Sequence, residues 1–167
     1  LADDHLDRHA DLDEYAAAKA RIFANQGPDD FAVINADDPI VMRWSRNIAA
    51  RTVAFSPSGR LADGYMADGG WIVRCTATST DRLVPVSAVE LAGAHMLGNV
   101  VAAVAVAATA GAATPAMTQA LHGFRGLEHV MEPVATRAGV RFVNDSKATN
   151  VEAARRSIES FDRGAHW

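Results

Sequence analysis

Cysteine is almost missing from these 167 residues: Cys75 stands alone. No internal disulfide framework can form, and the chain suits a reducing compartment. Because Cys75 ends the strand-like run Trp71-Ile72-Val73-Arg74-Cys75, it reads as a packing residue rather than a nucleophile. Basic charge is also short, with 16 Lys and Arg against 20 Asp and Glu and a net charge of -4. That leaves no global field to hold a nucleic-acid backbone or an anionic membrane. No run reaches the roughly 20 apolar residues needed to cross a bilayer. The longest, Val100 to Ala113, is mostly alanine and valine. Aromatic residues are few, 7%, within a chain that is 49% hydrophobic, so its helices are expected to pack through small side chains. The length allows one domain, or one domain and part of another. With no initiator methionine at Leu1 and an end just past a helix pattern, the chain is expected to be an excerpt of something longer.

In chain order, Asp11 or Asp13 can cap a helix in which Leu12, Tyr15, Ala16, Lys19, Ile22 and Phe23 share one face. The unbroken apolar run Phe31-Ala32-Val33-Ile34 predicts a strand buried on both faces. The turn Asn35-Ala36-Asp37-Asp38-Pro39 then opens a helix over Ile40 to Ile48, and Arg51 to Phe55 forms the next strand. Strand, helix and strand joined by short links predict a right-handed crossover in an α/β layer. After Ser56-Pro57-Ser58-Gly59, short runs around Tyr65, Trp71 and Leu83 predict a small antiparallel side sheet. A helix from His95 to about Ala110 stops at Gly111, and Thr114-Pro115 opens another. Val130 to Thr136 and Val140 to Asn144 then read as strands joined at Ala138-Gly139. The fold class expected is α/β: a partial parallel sheet with flanking helices and a small antiparallel side sheet, followed by the start of a second Rossmann-like α/β unit. The boundary is expected between 1–126 and 127–167.

The densest chemistry lies in Asn144-Asp145-Ser146-Lys147-Ala148-Thr149-Asn150, where a strand pattern yields to a helix pattern over Val151 to Phe161. A buried core would not tolerate that many polar groups, since each unpartnered one costs about 1 to 3 kcal/mol. The stretch suits a loop facing a ligand, or a polar turn with Thr149 or Asn150 as helix N-cap. At the other end, His5 with Asp3, Asp4 and Asp7 offers ligands suited to Mg²⁺ or Mn²⁺, or forms a solvated polar loop. Lys19 shares a face with Tyr15 and Phe23, where desolvation can lower an amine's pKa. A neutral amine can take up carbon dioxide as a metal-ligating carbamate; otherwise Lys19 is a snorkelling surface lysine.

Together these pieces resemble the Mur ligases of peptidoglycan synthesis. The matching stretches are Asp4-His5-Leu6-Asp7-Arg8-His9, Tyr15 to Phe23, Asn35-Ala36-Asp37-Asp38-Pro39 and Gly93-Ala94-His95 with Asn99. They continue with Phe124-Arg125-Gly126-Leu127-Glu128-His129 with Glu132, and close with Asn144 to Asn150. The Asp-Ser-Lys-Ala-Thr-Asn loop resembles that of the members that add D-glutamate. The resemblance implies residues 1–126 as the later part of a central ATP-binding domain and 127–167 as the start of a C-terminal domain. It implies an ATP- and Mg²⁺-dependent ligase that phosphorylates the carboxylate of UDP-N-acetylmuramoyl-L-alanine and lets the D-glutamate amine attack the acyl phosphate. Such a ligase is cytoplasmic and, at full length, a monomer, with no nucleic-acid or membrane partner. By the same resemblance, His5 and carbamylated Lys19 would hold a metal, and Asn99 would recognise the adenine. His95 and His129 would line the nucleotide site, Asp145 would hold the ribose, and Lys147 and Thr149 would face phosphates and reacting groups.

Two positions depart from the resemblance: Met96 stands where the family has asparagine, and Val130 where it has arginine. The first removes an amide from the adenine pocket and the second a planar cation from the nucleotide site. No Gly-x-x-x-x-Gly-Lys-Ser/Thr phosphate cradle is present either. The chain alone is therefore expected to be catalytically silent, and its open sheet edge to make it marginally stable. Two other readings remain open: a different Mur or folylpolyglutamate-type amide ligase, and a non-catalytic nucleotide-binding relative.

Overall fold

Asp11 opens the first helix, α1 (Leu12–Ala20), by accepting a hydrogen bond from the Glu14 N–H at 2.8 Å, which satisfies a donor that the first turn leaves orphaned. The computed structural model describes residues 9–89 and 94–161, the side chains of Ala94 and His95 excepted. A tighter 3-10 turn, Arg21–Phe23, follows α1. Passing from 3.6 to 3.0 residues per turn breaks the expected stripe. Tyr15 and Ala16 are buried, but Ile22 is 74% exposed and Lys19 is exposed as well.

Strand β1 (Phe31–Asn35) pairs in parallel with β2 (Arg51–Ser56), with Phe31 opposite Arg51 and Asn35 opposite Phe55. β1 is covered on both faces, as expected, but unequally: Val33 packs half-buried against the core on one side, and Ala32 and Ile34 are buried on the other. Phe31 is 43% exposed, with the Arg51 guanidinium 5.4 Å from its ring centroid. The crossover helix α2 (Pro39–Trp44) is capped by Asp38, whose carboxylate accepts from the Ile40 and Val41 N–H groups. It ends before the expected Ile48. The Ser45 hydroxyl donates to the Met42 carbonyl at 2.8 Å, so a side chain takes an acceptor that a further helical turn would use.

β3 (Gly64–Asp68) also runs parallel to β2 but overlaps it only at Phe55–Tyr65 and Ser56–Met66. So small an overlap lets the short link 57–63 replace the long crossover that parallel neighbours otherwise need. Gly64 makes the return possible: its φ is +142°, and a Cβ there would lie 2.5 Å from the Ala54 carbonyl oxygen. β4 (Trp71–Cys75) and β5 (Thr80–Pro85) complete the expected antiparallel meander. The β3–β4 turn consists of Gly69 and Gly70, both at positive φ, as a two-residue hairpin of this twist requires. The meander is continuous with the parallel strands, giving one mixed sheet in the order β1-β2-β3-β4-β5.

Helix α3 (Ala94–Thr109) crosses one face of that sheet. Its valines and alanine at 100, 101, 104 and 105 pack on Tyr65, Ile72 and Val84, with Met117 of α4 (Thr114–Gly123) beside them. Complete burial of Ile72, Val84 and Val101 contributes about 1.5 to 3 kcal/mol for each side chain. On the opposite face Ala32 and Ile34 meet Phe23, Val41 and Ile48, giving three layers. Cys75 is buried with Met66 and Val73, as a packing residue. α3 stops at Gly111 (φ +86°), where Ala112 N–H reaches Ala107 O and Gly111 N–H reaches Ala108 O. This is the expected glycine stop, in the Schellman arrangement.

β6 (Glu132–Arg137) and β7 (Val140–Asn144) form a separate two-stranded sheet. Their turn is Ala138-Gly139, both at positive φ. β6 starts later than the expected Val130, because His129 (φ +66°) and Met131 (φ +46°) adopt left-handed backbone that cannot continue a strand. Asn150 caps the last helix, α5 (Val151–Glu159), by accepting from the Ala153 N–H at 2.7 Å. The helix ends short of Phe161, where the Ser160 hydroxyl takes the Arg156 carbonyl at 2.8 Å.

Candidate functional site

In an open sheet with parallel strands, ligands collect outside the strands' carboxyl ends. Here β1 and β2 end side by side and deliver Asn35 to Asp38 and Ser56 to Gly59 to that edge. The Asp37 carboxylate joins the two stretches. Oδ1 accepts from the Ser56 hydroxyl at 2.5 Å, and Oδ2 accepts from the Ser58 hydroxyl at 2.7 Å and the Ser58 N–H at 3.3 Å. Ser56 is fully buried, and its oxygen accepts in turn from the Gly59 N–H at 2.6 Å. Burial works to raise the Asp37 pKa, but the Ser56 and Ser58 donors outweigh it and hold the carboxyl below its ordinary value. The second turn of α3 abuts the same loop: a Cβ on Gly98 would stand 3.4 Å from Pro57 Cγ.

A second polar cluster surrounds the loop Asn144 to Asn150. The Asn144 amide nitrogen is 2.8 Å from His129 Nδ1 and 3.3 Å from Glu132 Oε2. Since that amide can only donate, His129 Nδ1 is the acceptor and its proton sits on Nε2. Glu132 Oε2 also accepts from the His129 N–H at 2.9 Å, and the His129 carbonyl accepts from the Lys147 N–H at 3.1 Å. Asp145 spans the cluster: Oδ1 accepts from the Met131 N–H at 2.9 Å, and Oδ2 from the Ser157 hydroxyl. The left-handed backbone at His129 and Met131 thus lets residues 129–131 wrap around the loop after β7.

Of the residues singled out in the sequence, the structure brings His129, Glu132, Asn144, Asp145 and Lys147 into this one cluster. Lys147 and Thr149 are exposed at its surface. Asn99 is exposed on α3, with its amide nitrogen 3.7 Å from Met96 Sδ. The thioether faces one of that amide's two N–H donors. Lys19 is exposed rather than desolvated, with its ammonium 5.3 Å from the Tyr15 ring centroid. The 3-10 turn carries Ile22 away and leaves that end of the face uncovered. His5, with Asp3, Asp4 and Asp7, lies outside the described residues, as does the His95 side chain. Among the described residues no three His, Cys, Asp or Glu side chains gather as a metal site.

The Asp37 clamp was not distinguished in the sequence, where Asn35 to Pro39 and Ser56 to Gly59 read as separate turns. Its signal lay in the register. The last β1–β2 pair, Asn35 with Phe55, puts a carboxylate two residues beyond it on one strand beside a serine one residue beyond it on the other.

The exposed donors fit an adenine nucleotide in part. The Asn99 amide can pair with a base edge, Lys147 and Thr149 can meet phosphate oxygens, and each Asp145 oxygen keeps a lone pair beyond its present partner.

Comparison with known proteins places this arrangement. The family described as the Mur ligase middle domain matches residues 1–107. Among curated relatives, a UDP-N-acetylmuramoylalanine--D-glutamate ligase of Desulfitobacterium hafniense is 41% identical over 95% of this chain and 35% of its own. The Acidobacterium capsulatum protein of the same name is 42% identical over 99% of this chain and 36% of its own. The chain thus spans about a third of the length of these relatives. In fold it resembles MurF from Acinetobacter baumannii, with a TM-score of 0.76 at 20% identity, over 95% of this chain and 35% of that one. It also resembles a pseudomurein peptide ligase type C from Methanothermus fervidus, with a TM-score of 0.69 at 17% identity, over 96% and 39%. With the family match covering more than half its length, the chain belongs to the Mur ligase family.

Proposed function

We propose that this chain is part of an ATP-dependent ligase that joins D-glutamate to UDP-N-acetylmuramoyl-L-alanine in the cytoplasm, as a monomer at full length. Residues 1–126 are the later part of its central domain and 127–167 the start of its C-terminal domain. The observation that carries this reading is the loop Asn144 to Asn150. It is held open to solvent by His129, Glu132 and Asp145, in a chain about 41% identical to proteins named for that reaction.

ATP supplies the phosphoryl group that activates the acceptor carboxylate, and Mg²⁺ offsets the negative charge gathered there. Asn99 and His95 bind the adenine, and Asp145 accepts from the ribose hydroxyls with its remaining lone pairs. His129 and Glu132 shape the loop from behind. Lys147 and Thr149 draw phosphate oxygens toward the side where the acyl-phosphate carbon meets the D-glutamate amine, and there a fixed cation is worth more than in bulk water. Lys19, as a carbamate, would hold the metal together with His5.

The test is phosphate release by the complete ligase that carries this segment, measured with UDP-N-acetylmuramoyl-L-alanine and a panel of amino acids. Release dependent on D-glutamate supports the proposal. Preference for another amino acid assigns the segment to a different amide ligase, and Mg-ATP binding without turnover to a non-catalytic relative. The 167-residue chain alone is expected to release none.

A further inference from the structure

We propose that Asp37 is a positioning residue for adenine recognition: it clamps the loop after β2 so that Pro57 seats the second turn of α3, and with it Asn99, at the sheet edge. The inference rests on the assignment of Asn99 to the adenine.

Each link is a short contact between named groups. Asp37 lies two residues past the end of β1, and its own N–H is fixed by the Asn35 side-chain oxygen at 2.9 Å. Its two carboxylate oxygens take the Ser56 hydroxyl and the Ser58 hydroxyl and N–H. Ser56 and Ser58 bracket Pro57, so the backbone on both sides of that proline is anchored to a different strand from the one it leaves. Gly59 closes the clamp. A Cβ there would stand 2.9 Å from Ser56 Oγ and 3.4 Å from Asp37 Oδ1, so the tight return admits no side chain. Pro57 then faces Gly98, where a Cβ would stand 3.4 Å from its Cγ, and Gly98 directly precedes Asn99.

With room for little more than a Cβ between them, a shift of Pro57 changes how closely α3 can approach the loop. A proline held at both neighbours is a stiffer seat than a mobile loop, because its φ is fixed as well. Asn99 is exposed, with the Met96 thioether near its amide, so its direction depends on where α3 sits. A ring-edge hydrogen bond weakens steeply when misdirected, and small displacements have large kinetic effects. Asp37 carries out this role through the loop, without touching nucleotide.

The experiment uses the complete ligase, with Asp37→Ala, Asp37→Asn, Gly59→Ala, Asn99→Ala and the Asp37→Ala/Asn99→Ala double variant. Steady-state KM is measured for ATP and for D-glutamate, with kcat and the preference for ATP over GTP. Asp37→Ala is expected to raise KM for ATP about tenfold and to erode the purine preference, with kcat changed less than about threefold. KM for D-glutamate stays put. Asp37→Asn, which keeps one acceptor oxygen, falls between, and Gly59→Ala reproduces the effect from the other side of the clamp. The double variant is no worse than Asn99→Ala, because both changes remove the same contact.

A fall in kcat together with a rise in both KM values overturns the inference in favour of a merely structural role. It is also overturned, with the Asn99 assignment intact, if Asn99→Ala raises KM for ATP while Asp37→Ala and Gly59→Ala leave it unchanged, or if the two effects add. An Asn99→Ala variant with unaltered KM and purine preference removes the assignment itself, and the inference with it. Should Asp37→Ala fail to fold, Asp37→Asn and Gly59→Ala carry the same comparison.

Discussion

Ser157, buried on the inner side of α5, donates its hydroxyl to Asp145 Oδ2, while Asp145 Oδ1 accepts from the Met131 N–H at 2.9 Å. One carboxylate therefore ties the last helix to the left-handed stretch before β6, and no other described group offers Met131 N–H an acceptor. Ser157→Ala removes one charge-assisted bond and is expected to cost about 1.5 to 3 kcal/mol locally. Asp145→Ala costs more, since it strands two buried donors. Hydrogen exchange at Met131 is the measurement, because local opening of residues 127–161 need not report on the larger sheet. Exchange at that amide no faster in Asp145→Ala than in the parent would sink the latch.

Gly64→Ala is expected to be the most damaging small substitution in the sheet. The new Cβ would lie 2.5 Å from the Ala54 carbonyl oxygen, at a φ of +142° that side chains avoid. Neither atom can yield without opening the β2–β3 junction. A loss of more than about 3 kcal/mol is expected from the combined clash and strain. Gly70→Ala is the comparison: φ is +80° there, but nothing lies within 4 Å, so only the backbone penalty of about 1 kcal/mol applies. Urea unfolding of the two variants should separate them clearly; equal midpoints would contradict the close approach.

Asp37 predicts a pH dependence of definite sign. Its folded pKa lies below the ordinary value because the Ser56 and Ser58 donors outweigh the effect of burial. A depressed carboxylate contributes stability that is fully present above the ordinary aspartate pKa of about 3.9 and is lost as pH falls through the lower folded value. Solvent reaches the carboxylate, so the contribution is small. The Tm difference between the parent chain and Asp37→Asn should be constant from pH 7 to pH 5 and should shrink on further acidification. A difference that grows in acid would mean that the shift runs the other way.

Much of this was legible in the chain because local rules and tertiary structure agreed. Asp11, Asp38 and Asn150 cap helices as short polar side chains before apolar periods do, Gly111 ends α3, and Ala138-Gly139 turns a hairpin. The cluster around Asn144 to Asn150 was visible as polar density. What stayed hidden depended on partners distant in sequence. Nothing near Met131 announces a positive φ, which exists because Asp145 holds its N–H. Asp37 and Asp38 look alike in Asn35 to Pro39, yet one caps α2 and the other clamps β2's loop. The fate of Lys19 turned on a helix tightening by a fraction of a residue per turn, a change that periodicity cannot resolve.

Two isoleucines measure how far the period can be trusted. Ile22 falls on the apolar stripe of α1 by spacing, but the 3-10 turn leaves it 74% exposed, whereas Ile72 is wholly buried between α3 and its sheet neighbours. Ile72→Ala removes a side chain from a close-packed site and leaves a cavity, at an expected cost of about 2 to 5 kcal/mol. Ile22→Ala removes a side chain already in water and should stay within about 0.5 kcal/mol of the parent. Denaturant unfolding decides between them, provided the m-value is unchanged so that the midpoints report stability alone. A large loss from Ile22→Ala would show that the stripe predicted by spacing is buried after all and that α1 runs on as a regular helix. A small loss from Ile72→Ala would mean that α3 does not rest on the sheet where its valines place it.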